Sequence, residues 1–238
     1  MIDVISDLLK IGQSVWYDYI RRGIINSGEL SGMINSGITG LTSNPTVFEK
    51  AIGDSNDYDE DLISLSKSGK NDNQIFETMA IQDIRAALDL LRPVYDSTGG
   101  TDGFVSLEVN PMVAYDTKNT VIEARRLNSN VDRPNLMIKV PATSEGIPAI
   151  RCLIGEGINV NVTLIFSVER YIQVIDAYME GLRDYSDKGG NLANVASVAS
   201  FFVSRVDTAV DKALDNVGSL AAKSLLGKAA IANAKIAY

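Results

Sequence analysis

Asn135-Leu-Met-Ile-Lys-Val-Pro-Ala-Thr143 is an apolar run of the kind a buried parallel strand needs, and it carries one charge, Lys139. Burying a lysine is unfavourable, because desolvation penalises the ammonium relative to the neutral amine. One reading of Lys139 is therefore chemical: a desolvated amine forms imines with carbonyl substrates. The other is architectural: the side chain snorkels from the strand end to solvent or to a carboxylate. The strand by itself favours the second reading, and the rest of the chain favours the first.

Working outward, the composition narrows the chemistry. The 238 residues include no histidine. That removes Ser-His-Asp and Cys-His catalysis and any His-ligated zinc, a zinc-dependent aldolase included. Proton transfer falls to Asp, Glu, Lys, Tyr or relayed water. The single cysteine, Cys152, allows no intrachain disulfide and suits a reducing compartment. No basic-then-apolar leader opens the chain and no apolar run approaches ~18 residues, so the expected location is the cytoplasm. At 45% apolar and 22% charged residues the chain reads as a soluble globular protein, long enough to bury a sizeable core. Its net charge of −8 disfavours nucleic acid and anionic membranes, which need clustered Lys and Arg. Small anionic substrates stay compatible, since one local arginine can override the global field.

Short β-rich runs alternate with helical segments. Strands are expected at 13–19, 37–43, 103–109, 136–140, 159–165 and 194–203. Helices are expected at 29–36, after Pro45, at 56–68, 72–95, 118–128, 145–156, 167–183, 207–215 and 227–238. The spacing of Ile75, Met79, Ile81, Ile84, Leu88 and Leu91 carries the longest of these, and Ser167 with Glu169 marks the start of another. This alternation argues for a parallel sheet with helices outside it. Asp18, Glu108 and Lys139 stand toward the carboxyl ends of their strands, the edge at which parallel α/β folds hold ligands. No Gly-x-Gly-x-x-Gly follows a strand, so a dinucleotide fold has no support, and Gly155-Glu-Gly157 reads as a helix stop. A (β/α)8 barrel needs ~250 residues, and six βα units are found here. The run 228–238 has no glycine stop or cap behind it and reads as a chain cut in or just after a helix. The expectation is one domain, 1–238, truncated at its C-terminus.

Five runs then carry a resemblance: Gly37-Ile-Thr-Gly-Leu-Thr-Ser-Asn-Pro-Thr46, Val105-Ser-Leu-Glu-Val109, Leu136-Met-Ile-Lys-Val-Pro-Ala-Thr143, Gly157-Ile-Asn-Val-Asn-Val-Thr-Leu-Ile-Phe-Ser167 and Ser200-Phe-Phe-Val-Ser-Arg205. In matching order, from about Ser14 to the last residue, they resemble the transaldolase family in its longer bacterial form. The resemblance implies a TIM-type barrel of the class I aldolases, here an incomplete one of about six βα units, and a transferase of the pentose phosphate pathway that needs no cofactor. It implies transfer of a dihydroxyacetone unit from sedoheptulose 7-phosphate or fructose 6-phosphate to erythrose 4-phosphate or glyceraldehyde 3-phosphate. Lys139 matches the imine lysine and Asp18 the base that takes the C4 hydroxyl proton. Glu108 and Thr163 match the pair that holds a catalytic water. Asn44 and Asn161 match groups that bind the dihydroxyacetone hydroxyls, and Ser106 and Ser200 match further active-site hydroxyls. Arg205 matches a phosphate clamp, for which bidentate guanidinium geometry is suited. Phe202 stands where the related fructose-6-phosphate aldolases usually have tyrosine, so it leans toward the transferase.

Each residue also has a bland reading. Asp18 reads as an N-cap, Asn44 before Pro45 as a turn residue, and Asn161 and Thr163 as groups satisfying backbone at a strand end. Glu108 reads as the ion-pair partner of Lys139, Arg205 as a surface ion pair and Cys152 as a helix core residue. Two other functions stay open: an aldolase that releases free dihydroxyacetone, and an inactive fragment. Six strands leave two unpaired edges where eight would close. Sugar phosphates are the expected partners, with no nucleic acid and no membrane. Self-association and a complementing C-terminal segment are the two arrangements the unpaired edges leave open.

Overall fold

The computed structural model describes residues 4–238. They form two compact units. The first comprises the described residues up to Pro111 with Ile122–Ile138, and the second comprises Met112–Val121 with Lys139–Tyr238. The first unit holds α1 (Val4–Lys10), β1 (Val15–Tyr17), α2 (Arg22–Asn26), α3 (Glu29–Asn35), β2 (Ile38–Thr42), α4 (Pro45–Gly53), α5 (Asp59–Lys67), α6 (Asp72–Ser97) and β3 (Val105–Glu108). The division runs through α7 (Thr117–Val131) and β4 (Leu136–Pro141). The second unit continues with α8 (Gly146–Ile154), β5 (Val160–Ile165), α9 (Val168–Asp187), β6 (Ser197–Phe201), α10 (Ser204–Val217), α11 (Leu220–Lys223) and α12 (Ala229–Ala237).

The strands hydrogen-bond in chain order, β1 to β6. The pairs β1–β2, β2–β3 and β5–β6 are parallel. A helix follows every strand, which is the repeat of the (β/α)8 barrel type, present six times among the described residues.

All six residues of β4 are buried, as expected of a parallel strand covered on both faces. In the first unit Leu41, Ile84, Leu88, Leu91 and Val105 are fully buried. In the second, Val140, Ile150, Leu153, Ile154 and Val160 are. The helix α6 runs 26 residues. It opens on a capping box, Asn71 accepting from Gln74 N at 3.0 Å while Gln74 Oε1 accepts from Asn71 N at 3.0 Å. At the start of α9, Ser167 accepts from Arg170 N. The helix α8 stops two residues earlier than the pattern suggests, and Gly157 takes the left-handed conformation, φ 80°. A Cβ there would lie 2.8 Å from the Tyr185 ring, so only glycine fits without movement.

The strands β1 and β6 fall furthest short of their sequence patterns. The strand β1 covers Val15–Tyr17 rather than 13–19. It pairs with β2 over three residues, across a register shift between Val15 and Trp16. The Trp16 ring lies over Gly40, where a Cβ would fall 2.4 Å from the indole. Ser14 Oγ and Trp16 Nε1 donate to the buried Asp102 carboxylate at 2.5 and 3.1 Å. The strand β6 begins at Ser197 rather than 194, because Leu192–Asn194 closes a 3-10 turn whose first amides are met by Asn191. Three short helices, α1, α2 and α11, lie outside the expected elements. At 7, 5 and 4 residues they are too short to show a helical period.

Candidate active site

The first unit carries Asp18, Asn44, Ser106 and Glu108. Asp18 is the residue after β1 and is exposed, with no cap assigned to it. Ser106 is fully buried inside β3, beside Thr42 in the β2–β3 register. Ser43 Oγ donates to the Ser106 carbonyl at 2.7 Å and locks the ends of the two strands together. Asn44 is the N-cap of α4: its Oδ1 accepts from Val47 N at 3.0 Å. The amide oxygen therefore serves a helix cap, not the turn expected before Pro45. Pro45 at the first helical position is compatible with the same cap. Glu108 is half-buried at the end of β3. A cavity of about 240 Å³ in this unit is lined by Asn44, Glu108, Asn110, Phe48, Phe76 and Leu107, among others. It brings Asn44 and Glu108 together, while Asp18 and Ser106 do not line it.

A charged cluster just beyond Asp18 escaped the sequence reading. Arg22 Nε donates to Asp83 at 2.9 Å, and its guanidinium also reaches Asp61 at 2.5 Å and lies over the Tyr58 ring. Tyr58 Oη donates to Asp83 at 2.8 Å and accepts from Arg22 N at 3.0 Å. Burial pushes the Asp83 carboxyl above the usual carboxylate value, although hydrogen bonds from Tyr58 and Arg22 pull it down. Burial and the neighbouring Asp83 push the Tyr58 phenol up. One signal was available: Asp83 stands four residues from both Met79 and Ala87, on the apolar stripe of α6.

The second unit carries Lys139, Asn161, Thr163, Ser200, Phe202 and Arg205. Lys139 is 8% exposed, the fourth residue of β4. Asn161 and Thr163 are 2% exposed and share one face of β5, two residues apart. Ser200 Oγ donates to Asn161 Oδ1 at 2.9 Å, a pairing no local pattern announces. The Thr163 carbonyl accepts from Ala142 N at 2.8 Å, just past β4. Directly after Thr163, Leu164 takes φ 61°, where the β5–β6 register shifts between Val162 and Ile165. Such a bulge re-aims side chains and leaves a residue in a costly conformation, as happens near functional sites.

Phe202 and Arg205 follow β6. The Arg205 guanidinium lies over the Phe202 ring, 4.7 Å from its centre, and the Phe166 ring stacks on the same ring at 5.0 Å. Arg205 is exposed in the first turn of α10, and its recorded contact is aromatic rather than an ion pair. Cys152 is half-buried instead of fully in the core, with Sγ 3.2 Å from Glu156 Oε1. Among the described residues, no group of three or more His, Cys, Asp or Glu could hold a metal ion, and no helix is long and apolar enough to cross a membrane.

Strands hydrogen-bonded in chain order, each followed by a helix, with a buried lysine in the fourth, define the class here as a protein of the β/α-barrel type. The chain belongs to the transaldolase/fructose-6-phosphate aldolase family, whose family model matches residues 15–238. It is 51% identical over 238 residues to Transaldolase 1 of Streptomyces avermitilis, covering 100% of this chain and 63% of the relative. It is 48% identical over 239 residues to Transaldolase 2 of Streptomyces coelicolor, covering 100% of this chain and 64% of the relative. With the transaldolase of Trichodesmium erythraeum it shares 48% over 241 residues, 98% of this chain and 63% of the relative. The chain thus spans less than two thirds of the length of these relatives.

Proposed function

We propose that the protein transfers a dihydroxyacetone unit between sugar phosphates through a Schiff base on Lys139, the exchange that serves the pentose phosphate pathway. The observation that carries this reading is the burial of Lys139 in a strand whose six residues are all buried. An amine so placed can form an imine with a ketone that reaches it. In the proposed reaction, Nζ attacks the C2 carbonyl of fructose 6-phosphate or sedoheptulose 7-phosphate, and water leaves to form the protonated imine. Asp18 takes the C4 hydroxyl proton, the C3–C4 bond breaks, and its electron pair moves into the enamine as an aldose phosphate departs. Addition to erythrose 4-phosphate or glyceraldehyde 3-phosphate reverses these steps. Water then hydrolyses the new imine and restores the amine.

Glu108 and Thr163 are assigned to the water that enters and leaves the imine. Asn44, Asn161, Ser106 and Ser200 are assigned to substrate hydroxyls, and Arg205, beside Phe202, to the phosphate. The support for Asn161 is its burial and its bond to Ser200. Arg205 sits at a helix start, where free amides also favour anions. Borohydride with fructose 6-phosphate should attach a three-carbon adduct to Lys139, and Lys139→Ala should lose it. An adduct that survives the substitution would sink the assignment.

A second reading, an aldolase releasing free dihydroxyacetone, shares the lysine and the family description. Phe202 favours transfer, because its ring is occupied by Phe166 and Arg205 and offers no hydroxyl to a water. Release of dihydroxyacetone without acceptor, as fast as transfer, would reverse this preference.

A further inference from the structure

We infer that Phe166 and Asn233 are positioning residues for the Arg205 guanidinium, and through it for the phosphate end of the substrate. This rests on the reading of Arg205 as the phosphate clamp. It adds two residues that the sequence motifs left without a role.

A closed circuit of contacts runs through the second unit. Phe166 stands one residue past β5. Its ring stacks on Phe202 with centroids 5.0 Å apart and planes inclined at 27°. Phe202 in turn lies under Arg205. The Phe166 carbonyl accepts from Asn233 Nδ2 at 2.9 Å, so the backbone beneath the ring is tied to α12. The start of α12 is tied back to the helix that bears Arg205. Asp207 accepts from Ala230 N at 2.8 Å, and Asp211 accepts from Gly227 N at 3.0 Å. The amide of Phe202 donates to the Ile165 carbonyl at 2.9 Å and closes the circuit on the strand side.

The circuit has a physical purpose. An exposed arginine samples many rotamers, and a clamp loses affinity for each one it must give up on binding. A ring held in place beneath the guanidinium removes part of that freedom in advance. Phe202 cannot supply this alone, because its own rotamer needs a partner, and Phe166 is the ring that packs on it. Phe166 is itself 42% exposed, so it has little core packing to hold it. The bond from Asn233 fixes its backbone instead. Leu164, two residues before it, carries a positive φ at the β5 bulge.

The test titrates the purified protein with inorganic phosphate and follows the 15N shift of Arg205 Nε. Phe166→Leu should weaken phosphate binding roughly threefold to tenfold, the worth of one aromatic pair. Phe166→Tyr should restore it to within about twofold, since a tyrosine ring stacks equally well. Asn233→Ala should weaken it in the same direction, and Arg205→Ala should remove it. A second readout separates positioning from general loosening. In borohydride trapping, Phe166→Leu should raise the half-saturating fructose 6-phosphate by a similar factor and leave that for dihydroxyacetone, which has no phosphate, unchanged. Unchanged phosphate binding in Phe166→Leu, or equal shifts for both donors, overturns the inference, as does a parent protein whose Arg205 gives no phosphate response. A parent that forms no Lys139 adduct with either donor removes the proposed function instead, and the phosphate titration still decides this proposal.

Discussion

The strands β4 and β6 present opposite solutions to holding a functional group. Every residue of β4 is buried, and none of β6 is. Lys139 therefore stands in a strand held by dense packing. The groups in and just after β6 are placed by a few contacts that can be named: Ser200 on Asn161, Phe202 against Phe166 and under Arg205. A packed strand suits a nucleophile that must keep one position through several steps. Point contacts suit a binding group that engages and releases a charged end. The difference teaches where a substitution should appear: in the chemistry or the stability for β4, and in substrate binding for the β6 region.

The largest effect expected is on the chemistry of β4. Lys139→Met should lower imine trapping at least about a thousandfold while the fold persists, since methionine fills the volume without the amine. Mass analysis after borohydride checks the first part and a melting curve the second. Stability offers the next contrast. Ile138→Ala in β4 should lose about 3 kcal/mol in denaturant unfolding, whereas Val198→Ala in β6 should lose about 1 kcal/mol or less. Equal losses would break the comparison. Arg205→Ala should reduce kcat/KM for fructose 6-phosphate by about tenfold to a hundredfold, mostly through KM. Ser200→Ala should reduce it less, about fivefold, because it removes the bond from Ser200 to the buried Asn161 oxygen.

The smallest effect sharpens the contrast from outside the strands. Arg151 on α8 pairs with Asp184 on α9 at 2.8 Å, at the protein surface. Hydrogen bonds from Arg151 hold the Asp184 carboxyl below its usual value. A depressed carboxylate contributes stability that is present above the usual value, 3.8, and is lost as pH falls through the lower folded one. Arg151→Ala should therefore melt slightly below the parent near neutral pH, and the gap should close as pH drops below about 3.8. A large gap at neutral pH would mean that surface ions, rather than packing, hold the helices beside β4 and β5.

Much of this was legible locally. The strand that carries Lys139 and the one that carries Asn161 and Thr163 announced themselves as apolar runs, because burial on both faces leaves a mark on every residue. The cap at Ser167 was legible for a related reason: a cap is a contact between residues three apart. Motif order led to the family, and with it to candidate roles. The reading of β1 and β6 overran at both ends, since strand length is set by the partner strand and by competing turns. Asn44 read as a turn residue or a substrate group, and its role as a helix cap came only with the structure, since Pro45 suits a turn and a helix start alike.

By itself, then, the amino-acid sequence determined the β/α repeat, the family and the identity of the buried amine, because each is written in neighbouring residues or in their fixed order. Only the tertiary structure decided that Ser200 meets Asn161 across 39 positions, that Asp83 sits among Tyr58 and Arg22, and that Asn233 reaches Phe166 across 67. The physical reason is the range of the interaction. Burial and capping act within a turn or a strand, whereas a side-chain pair distant in the chain forms only when the packed backbone has already brought its two ends together.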